Sequence, residues 1–392
     1  MSETAVQAQA DIEKSAKIRI VRIDAHVYRF PVEKPVVTSF GIMQDRPAVF
    51  VRVEDESGAF GWGEIWANWP VAGAEHRARL LVEDIADLVL GAQLEKPSDL
   101  FATLENQTRI RALQCGEWGP FRQVIAGLDI AAWDLFSRRA GLPVRKLMNA
   151  NAADSVPAYA SGIHKREAER LIPQAREKGF RAFKVKVGFD IEDDADRVIE
   201  LAGALSKDER LFVDANQAWD CTQAVSFMER IDDTGAGWME EPIPADAPAK
   251  DWQHVASNSA VPLAGGENLA GMEQFTDAIE TGALKVIQPD IAKWGGFTGC
   301  RAVAEKAMAA GHTYCPHYLG GGIGLAASAH LLAAVGGEGL LEVDANPNPL
   351  RDQFGCTNAV ADGLWRMGDE PGLGIDELPD TFEPMRTFSA TR

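Results

Sequence analysis

Three carboxylates recur along the chain at nearly equal intervals, and each closes an apolar run. Asp214 ends Leu211-Phe212-Val213, Glu240 follows Trp238-Met239, and Glu267 follows Val261-Pro262-Leu263-Ala264-Gly265-Gly266. The gaps are 26 and 27 residues, and other ionisable groups continue the rhythm. Lys186 stands 28 residues before Asp214, while Asp290, His317 and Glu342 follow Glu267 at steps of 23, 27 and 25. Three carboxylates with no His or Cys among them favour a hard cation, Mg²⁺ ahead of zinc. The plain alternative is a set of acids on solvated loops. The hydrophobic approach to each one argues against it, because a buried carboxylate costs several kcal/mol unless a cation meets it.

Glu240 and Glu241 are adjacent, so on a strand they face opposite ways, one toward a central cavity and one toward a packing layer. Lys184 and Lys186 differ by two and share a face. Burial, mutual repulsion and a nearby Mg²⁺ would lower a lysine toward a useful general base. Neutralising the acidic cluster is the competing role, and it suits Lys184 better than Lys186. Asp290, accepting one imidazole N–H of His317, would fix the tautomer and raise the basicity of the other nitrogen. Glu342, if kept protonated, could donate to a developing oxyanion. Gly320-Gly321-Gly322 and Gly324 fall where barrels often bind phosphate, but no GK[ST] accompanies them and the glycines equally serve a sharp turn.

Residues spaced this way need an element that repeats at the same interval. One strand, one helix and two loops take roughly 25–30 residues in a (β/α)₈ barrel, whose strand ends converge on one face. From about residue 155 the pattern alternates β and α, with candidate strands near 156–160, 182–187, 211–215, 237–241, 261–265, 284–289, 312–316 and 339–343. Amphipathic stretches such as Arg166–Lys178, Asp194–Leu205 and Gly299–Ala310 separate them, which predicts parallel strands closed into a barrel. Upstream, residues 18–65 alternate as strands, with a hairpin turning at Glu54-Asp55-Glu56-Ser57-Gly58. Helices are expected over 74–91, after Pro97-Ser98-Asp99, and over 120–140. The first third is therefore α+β. The apolar loops Thr38–Met43 and Trp66–Pro70 either pack within the chain or form a lid, with Phe40, Ile42, Met43, Trp66 and Trp69 as its side chains. After about residue 350 the chain is expected to return to loops.

With 392 residues, 46% of them hydrophobic, the chain reads as a soluble protein of about two domains. The net charge of −19 excludes nucleic acid as a partner, since phosphate binding needs clustered Lys and Arg. A small anion remains possible if local cations reverse the field. Five cysteines without a CxxC (Cys115, Cys221, Cys300, Cys315 and Cys356) fit a reducing compartment and neither a disulfide frame nor a zinc site. No apolar run approaches the ~18 residues of a membrane span. The polar start reads as a flexible tail over 1–17, and the expected location is cytoplasmic. The expected division is a capping region over 18–150, a barrel over 151–350 and a C-terminal segment over 351–392 packing back on the cap.

In order, KVKVG at 184–188, DANQAW at 214–219, WMEEP at 238–242, GGEN at 265–268, QPDIAKWGG at 288–296 and PHYLGGG at 316–322 resemble the mandelate racemase subgroup of the enolase superfamily. The resemblance runs from the first strands to PGLGI at 371–375. It implies an α/β fold, a modified TIM barrel of the (β/α)₇β kind under an N-terminal α+β capping domain completed by the C-terminal segment. It also implies one Mg²⁺ per subunit, removal of the proton α to a carboxylate, and a metal-stabilised enediolate. Asp214, Glu240 and Glu267 would be the metal ligands. Lys186 would be the base on one face, modulated by Lys184, with the His317–Asp290 dyad on the other and Glu342 binding the substrate carboxylate. Candidates for substrate contact are Asn216, Asn268, Ser161, Phe40 and Trp66, and Lys293 would be a structural ion-pair partner. The muconate-lactonizing subgroup is less similar, because it uses a lysine where this chain offers His317 and Asp290. Arg145–Ala150 departs from the family's glycine-rich end to that stretch, away from the chemistry. The implied partner is a small carboxylate, and the implied assembly a homo-oligomer, dimer to octamer.

Two bases on opposite faces of one carbon allow dehydration, if a β-hydroxyl leaves, or inversion, if it does not. The resemblance favours dehydration of an aldonate or aldarate to a 2-keto-3-deoxy acid. A racemase or epimerase of a 2-hydroxy acid is the alternative, toward which the apolar lid residues pull. A non-catalytic barrel would need neither Lys186 nor His317–Asp290. A metal-dependent hydrolase would normally show a His-x-His pair, which none of the seven histidines forms.

Overall fold

Two glycines decide how the first part of the chain packs. The computed structural model describes residues 17–354 and 360–392. β1 (Ile18–Val37), β2 (Ile42–Asp55) and β3 (Phe60–Ile65) form an antiparallel sheet, with His26 opposite Phe50 and Val51 opposite Gly63. On it lies α3 (Trp118–Ala140), preceded by α1 (Gly73–Leu80), which runs on through a π turn, and α2 (Ser98–Cys115). A Cβ on Gly61 would fall 2.1 Å from the Ala131 carbonyl oxygen, and one on Gly63 2.0 Å from that of Gly127. The helix backbone therefore rests directly on the strand, closer than any side chain allows.

β1 is longer than the alternation at 18–23 suggests. Pro31 and Pro35 break the pattern by removing ladder donors, yet pairing continues past a register shift to Val37 opposite Ile42. The C-terminal stretch, expected as loops, forms a further strand, β14 (Arg386–Thr391), paired antiparallel with β1. Its alternation is weak because its side chains are half-buried or exposed, and only the partner strand organises it.

Among the described residues, eight parallel strands follow: β4 (Ser155–His164), β5 (Ala182–Lys186), β6 (Arg210–Asp214), β7 (Met239–Glu240), β8 (Leu263–Gly265), β9 (Leu284–Ile287), β10 (Thr313–Tyr314) and β11 (Leu341–Asp344). Seven helices lie between them: α4 (Ala168–Glu177), α5 (Ile191–Gly203), α6 (Cys221–Ile231), α7 (Ala249–Ser257), α8 (Met272–Thr281), α9 (Gly296–Ala309) and α10 (Gly322–Val335). Ladders join β4 through β10 in sequence, and β11 pairs with β4. Between β10 and β11 the Leu340 amide donates to Cys315 Sγ at 3.3 Å. β12 (Val360–Ala361) and β13 (Leu364–Arg366) form a hairpin added to the outer side of β4, so this part of the C-terminal segment leans on the barrel.

Strand alternation stacks the barrel interior in layers. At the bottom Phe212 lies flat on Trp238, ring centroids 3.6 Å apart, and Tyr159 meets both edge-on. Two residues further along the same strands come Ser161, Asp214 and Glu240, in the layer above this aromatic floor.

The cap is fastened to the barrel at its mouth. Arg46 of β2 pairs with Asp344 of β11 at 2.7 Å, both buried. Asp129 of α3 accepts from the Thr298 amide at 2.9 Å and from its hydroxyl at 2.6 Å, at the start of α9. Arg145 is fully buried and ties the end of the cap to Asp154, Asp369 and the Gly368 carbonyl, which accounts for the charged residue in the stretch 145–150. Of the expected features, Cys356 and residues 1–16 of the tail lie outside the described residues; Lys17 pairs with Glu95 at 2.8 Å. Cys115, Cys221, Cys300 and Cys315 are free thiols. Among the described residues no helix is long and apolar enough to cross a membrane.

Candidate active site

Register brings the first three groups together. On adjacent parallel strands Lys186 is opposite Asp214, and Asp214 is opposite Glu240. Glu267 lies two residues past β8, Asp290 bridges to His317 beyond β9 and β10, and Glu342 is the second residue of β11. The ionisable residues picked out by spacing thus meet at one end of the barrel.

Each carboxylate there has a cation. Lys186 Nζ donates to Asp214 Oδ2 at 2.5 Å and to Asn216 Oδ1 at 2.7 Å. Lys184 Nζ, 1% exposed, lies 2.7 Å from both oxygens of Glu240, 2.7 Å from Glu342 Oε1 and 3.7 Å from Asp214 Oδ2. Gln288 Nε2 donates to Glu240 Oε2 at 2.8 Å. Glu267 Oε2 stands 3.2 Å from Lys293 Nζ and 3.4 Å from His317 Nε2. Among the described residues no three His, Cys, Asp or Glu side chains are gathered around one point as a metal cage. The donor set nevertheless suits a hard divalent ion. It is all oxygen, Asp214 and Glu240 are fully buried, and the charges of Asp214 and Glu267 repel, as do those of Glu240 and Asp214.

Two electrostatic expectations are corrected. Burial and mutual repulsion, with a nearby Mg²⁺, were expected to lower the lysines, with neutralisation of the acids as the competing role, the better suited to Lys184. Burial does act that way, but the Glu240 and Glu342 carboxylates beside Lys184 and the Asp214 carboxylate beside Lys186 outweigh it and raise both. Glu342 was expected as a donor on the condition that it stays protonated. Burial favours that form, but Lys184, His317 and Ser161 overcome it and hold the carboxyl below its usual value. Glu342 is accordingly an acceptor, receiving Ser161 Oγ at 2.5 Å and the Tyr318 amide at 2.9 Å.

His317 Nδ1 is 2.8 Å from Asp290 Oδ2. Asp290 Oδ1 accepts the amides of Ala292 and Lys293, so its position is fixed by the following turn. Burial lowers the imidazole, but Glu267, Glu342 and Asp290 together push it up to about 10. The His317 loop is held from the cap: Glu64 of β3 accepts the Gly321 amide at 2.6 Å and the Gly324 amide at 2.9 Å. Those are donors a phosphate would have used, so the glycine segment serves the turn.

A cavity of about 360 Å³ opens over Lys186, Asn216, Glu267 and His317. Lysine and imidazole approach it from separate sides, since four strands lie between β5 and β10 one way round the ring and two the other. The cap supplies an apolar wall of Val36, Val37, Phe40, Met43, Trp66 and Trp69. Phe40 is 60% exposed and meets Trp69 edge-on, while Ser39 Oγ donates to the Asn216 carbonyl at 2.7 Å, tying this loop to the barrel. Asn216, Phe40 and Trp66 line the cavity; Ser161 and Asn268 do not. Ser161 is buried beneath Glu342, and the Asn268 amide is taken by Glu241, with its oxygen on Lys293. Glu241, just past β7, takes a left-handed φ of 41° and accepts Asn268 Nδ2 on both oxygens, away from the Lys184 that Glu240 meets. Sequence reasoning missed Gln288, Glu64, the Arg46–Asp344 pair and the lip residues His164 and Arg166. Only Gln288 left a signal, two residues before Asp290 in QPD.

Residues 22–149 match the mandelate racemase / muconate lactonizing enzyme N-terminal domain, and residues 166–380 match the enolase C-terminal domain-like family. The chain belongs to the mandelate racemase/muconate lactonizing enzyme family of the enolase superfamily. It is 28% identical over 390 residues to D-galactarolactone cycloisomerase of Agrobacterium fabrum, covering 94% of this chain and 99% of that one. It is 31% identical to 3,6-anhydro-alpha-L-galactonate cycloisomerase of Streptomyces coelicolor (91% and 96% covered) and 27% identical to arabinonate dehydratase of Saccharolobus solfataricus (87% and 91%). Among solved structures, a mandelate racemase/muconate lactonizing enzyme from Bordetella bronchiseptica superposes with TM-score 0.89 at 45% identity, covering 94% of this chain and all (100%) of that one. An enolase from Bradyrhizobium, complexed with magnesium and mandelic acid, superposes with TM-score 0.82 at 30% identity (95% and 100% covered).

Proposed function

We propose that this enzyme is a Mg²⁺-dependent dehydratase of a sugar acid, converting an aldonate or aldarate into a 2-keto-3-deoxy acid. The observation that carries this reading is the placement of Lys186 and an Asp290-oriented His317 on separate sides of one cavity. Asp214, Glu240 and Glu267 would hold the ion. Bound there, Mg²⁺ supplies Lewis acidity toward the substrate carboxylate and weakens the hold of Asp214 on the Lys186 proton.

The chain's own groups then divide the work. Lys186, in its neutral form, takes the proton from the carbon next to the carboxylate, leaving an enediolate. Lys184 stays charged among Glu240, Glu342 and Asp214 and offsets their repulsion. His317, doubly protonated and oriented by Asp290, delivers its Nε2 proton to the β-hydroxyl, which leaves as water. The resulting enol tautomerises to the keto acid. The cap wall covers the mouth and limits access of bulk water.

A second reading, a racemase or epimerase of a 2-hydroxy acid with the same two bases, is favoured by one observation: the wall formed by Val36, Val37, Phe40, Met43, Trp66 and Trp69 is apolar. Incubation of the Mg²⁺-loaded protein with sugar acids and simple 2-hydroxy acids in D₂O separates the two. Keto-acid formation is expected. Deuterium at the α-carbon with inversion and no keto acid would install the racemase instead, and neither product from any carboxylate would remove both.

A further inference from the structure

We infer that Arg166, on the loop leaving β4, is a specificity-determining residue that binds a second carboxylate at the far end of the substrate, so that the preferred sugar acid is a dicarboxylate. This inference rests on the dehydratase reading and names the substrate class within it.

The field at the cavity mouth is reversed relative to the molecule. The chain carries a net charge of −19, yet the outer lip of the cavity holds Lys34, Arg166 and Arg170 against one carboxylate, Glu167. Deeper in, the charges are matched: Arg46 pairs with Asp344, and Lys186 with Asp214. At the lip, Glu167 already serves two cations, Arg170 at 2.6 Å and Lys34 at 3.6 Å. Arg166 has no carboxylate within ion-pair distance among the described residues, although Asp193 lies near enough to feel its charge. Its neighbour Lys165 pairs with Asp193 and Asp194. An unpaired guanidinium at the rim of a reaction cavity is a ready fork for a carboxylate. His164 accepts the Arg166 amide at 3.2 Å, which sets the start of the loop.

Distance fits the same chemistry. His164 is in register with Lys186, and Arg166 follows two residues later. Residues 165–167 form a 3₁₀ turn rising about 2 Å per residue, so the Arg166 backbone stands no more than about 4 Å past His164 and the remaining reach falls to its long side chain. Five carbon–carbon bonds in zigzag span roughly 6 Å, the separation of the two terminal carbons in a six-carbon diacid. One carboxylate seated near Lys186 and Glu267 leaves the other pointing toward the mouth, where Arg166 lines the cavity.

The test compares sugar acids that differ only in that end, galactarate with galactonate and glucarate with gluconate. kcat/KM is measured for turnover, and calorimetric dissociation constants are measured with Mg²⁺ present and, separately, without it. The diacid of at least one pair is expected to be favoured. In Arg166→Met that preference falls about tenfold, through KM and the dissociation constant more than through kcat, as for one charged hydrogen-bonded contact. Arg166→Lys is expected to restore part of the preference, and the preference weakens with added salt. Arg170→Met removes the same charge from the same lip but leaves Arg166 in place, so its effect is expected to be smaller. Equal binding of diacid and monoacid in every pair, or an Arg166→Met preference equal to that of the wild type, overturns the inference. Should no sugar acid turn over, the dehydratase reading fails, while the binding ratios still decide whether Arg166 selects a dianion.

Discussion

Glu64→Gln isolates the contact by which the cap holds the catalytic loop. Glu64 is 2% exposed, and burial raises its carboxyl from 4.5 up to about 7 against the pull of the Gly324 and Gly321 amides. Because the folded-state value lies above the unfolded one, the folded protein binds the extra proton. The stability linked to that proton is fully present below pH 4.5 and is lost as pH rises through 7. Between pH 5 and pH 8 that loss amounts to about 2–3 kcal/mol for a shift of this size. Glutamine keeps the shape and one acceptor oxygen but does not titrate, and it leaves one amide unpartnered at a cost of about 1–3 kcal/mol. Reversible urea denaturation of both proteins at pH 5 and pH 8 should show the wild type ahead at pH 5, with its advantage shrinking by about 2–3 kcal/mol at pH 8. Other buried acids are common to both proteins and cancel in the difference. Parallel stability–pH curves would refute the account of Glu64 as a buried, titrating strut.

Three other perturbations test the rest of the architecture. Lys186→Ala and His317→Asn should each abolish turnover while Mg²⁺ still binds by calorimetry; unchanged turnover in either removes its assigned role. Arg46→Met leaves buried Asp344 with only Arg351, at 3.7 Å, and should destabilise the protein by about 3 kcal/mol in urea. A loss under 1 kcal/mol would mean that the Arg46–Asp344 pair does not fasten the two layers. Gly63→Val places a side chain where the Gly127 carbonyl oxygen lies 2.0 Å from the Cβ, and soluble yield and melting temperature should both fall. A melting temperature equal to the wild type would show that α3 can lift off β3 at no cost.

Sequence reasoning located the barrel because its rhythm is local: each strand-to-strand step consumes a fixed length of chain, and an apolar run ending in an ionisable residue marks each rim position. The eight strand centres were legible for that reason, although β7 and β10 are only two residues long. β14 and the far half of β1 were not, since prolines and half-buried faces blur their alternation and a partner distant in sequence completes them. Ser161 and Asn268 were correctly placed near the rim but wrongly aimed, because a residue's strand position does not say which neighbour will claim its hydrogen bonds.

The sequence by itself determined which groups would meet: Lys184, Lys186, Asp214, Glu240, Glu267, Asp290, His317 and Glu342 follow from spacing alone. Only the tertiary structure decided their charge states. It raised both lysines, ionised Glu342 and lifted His317 to about 10. Proton affinity depends on burial and on charges within a few ångströms, and those distances exist only once strands remote in sequence lie side by side.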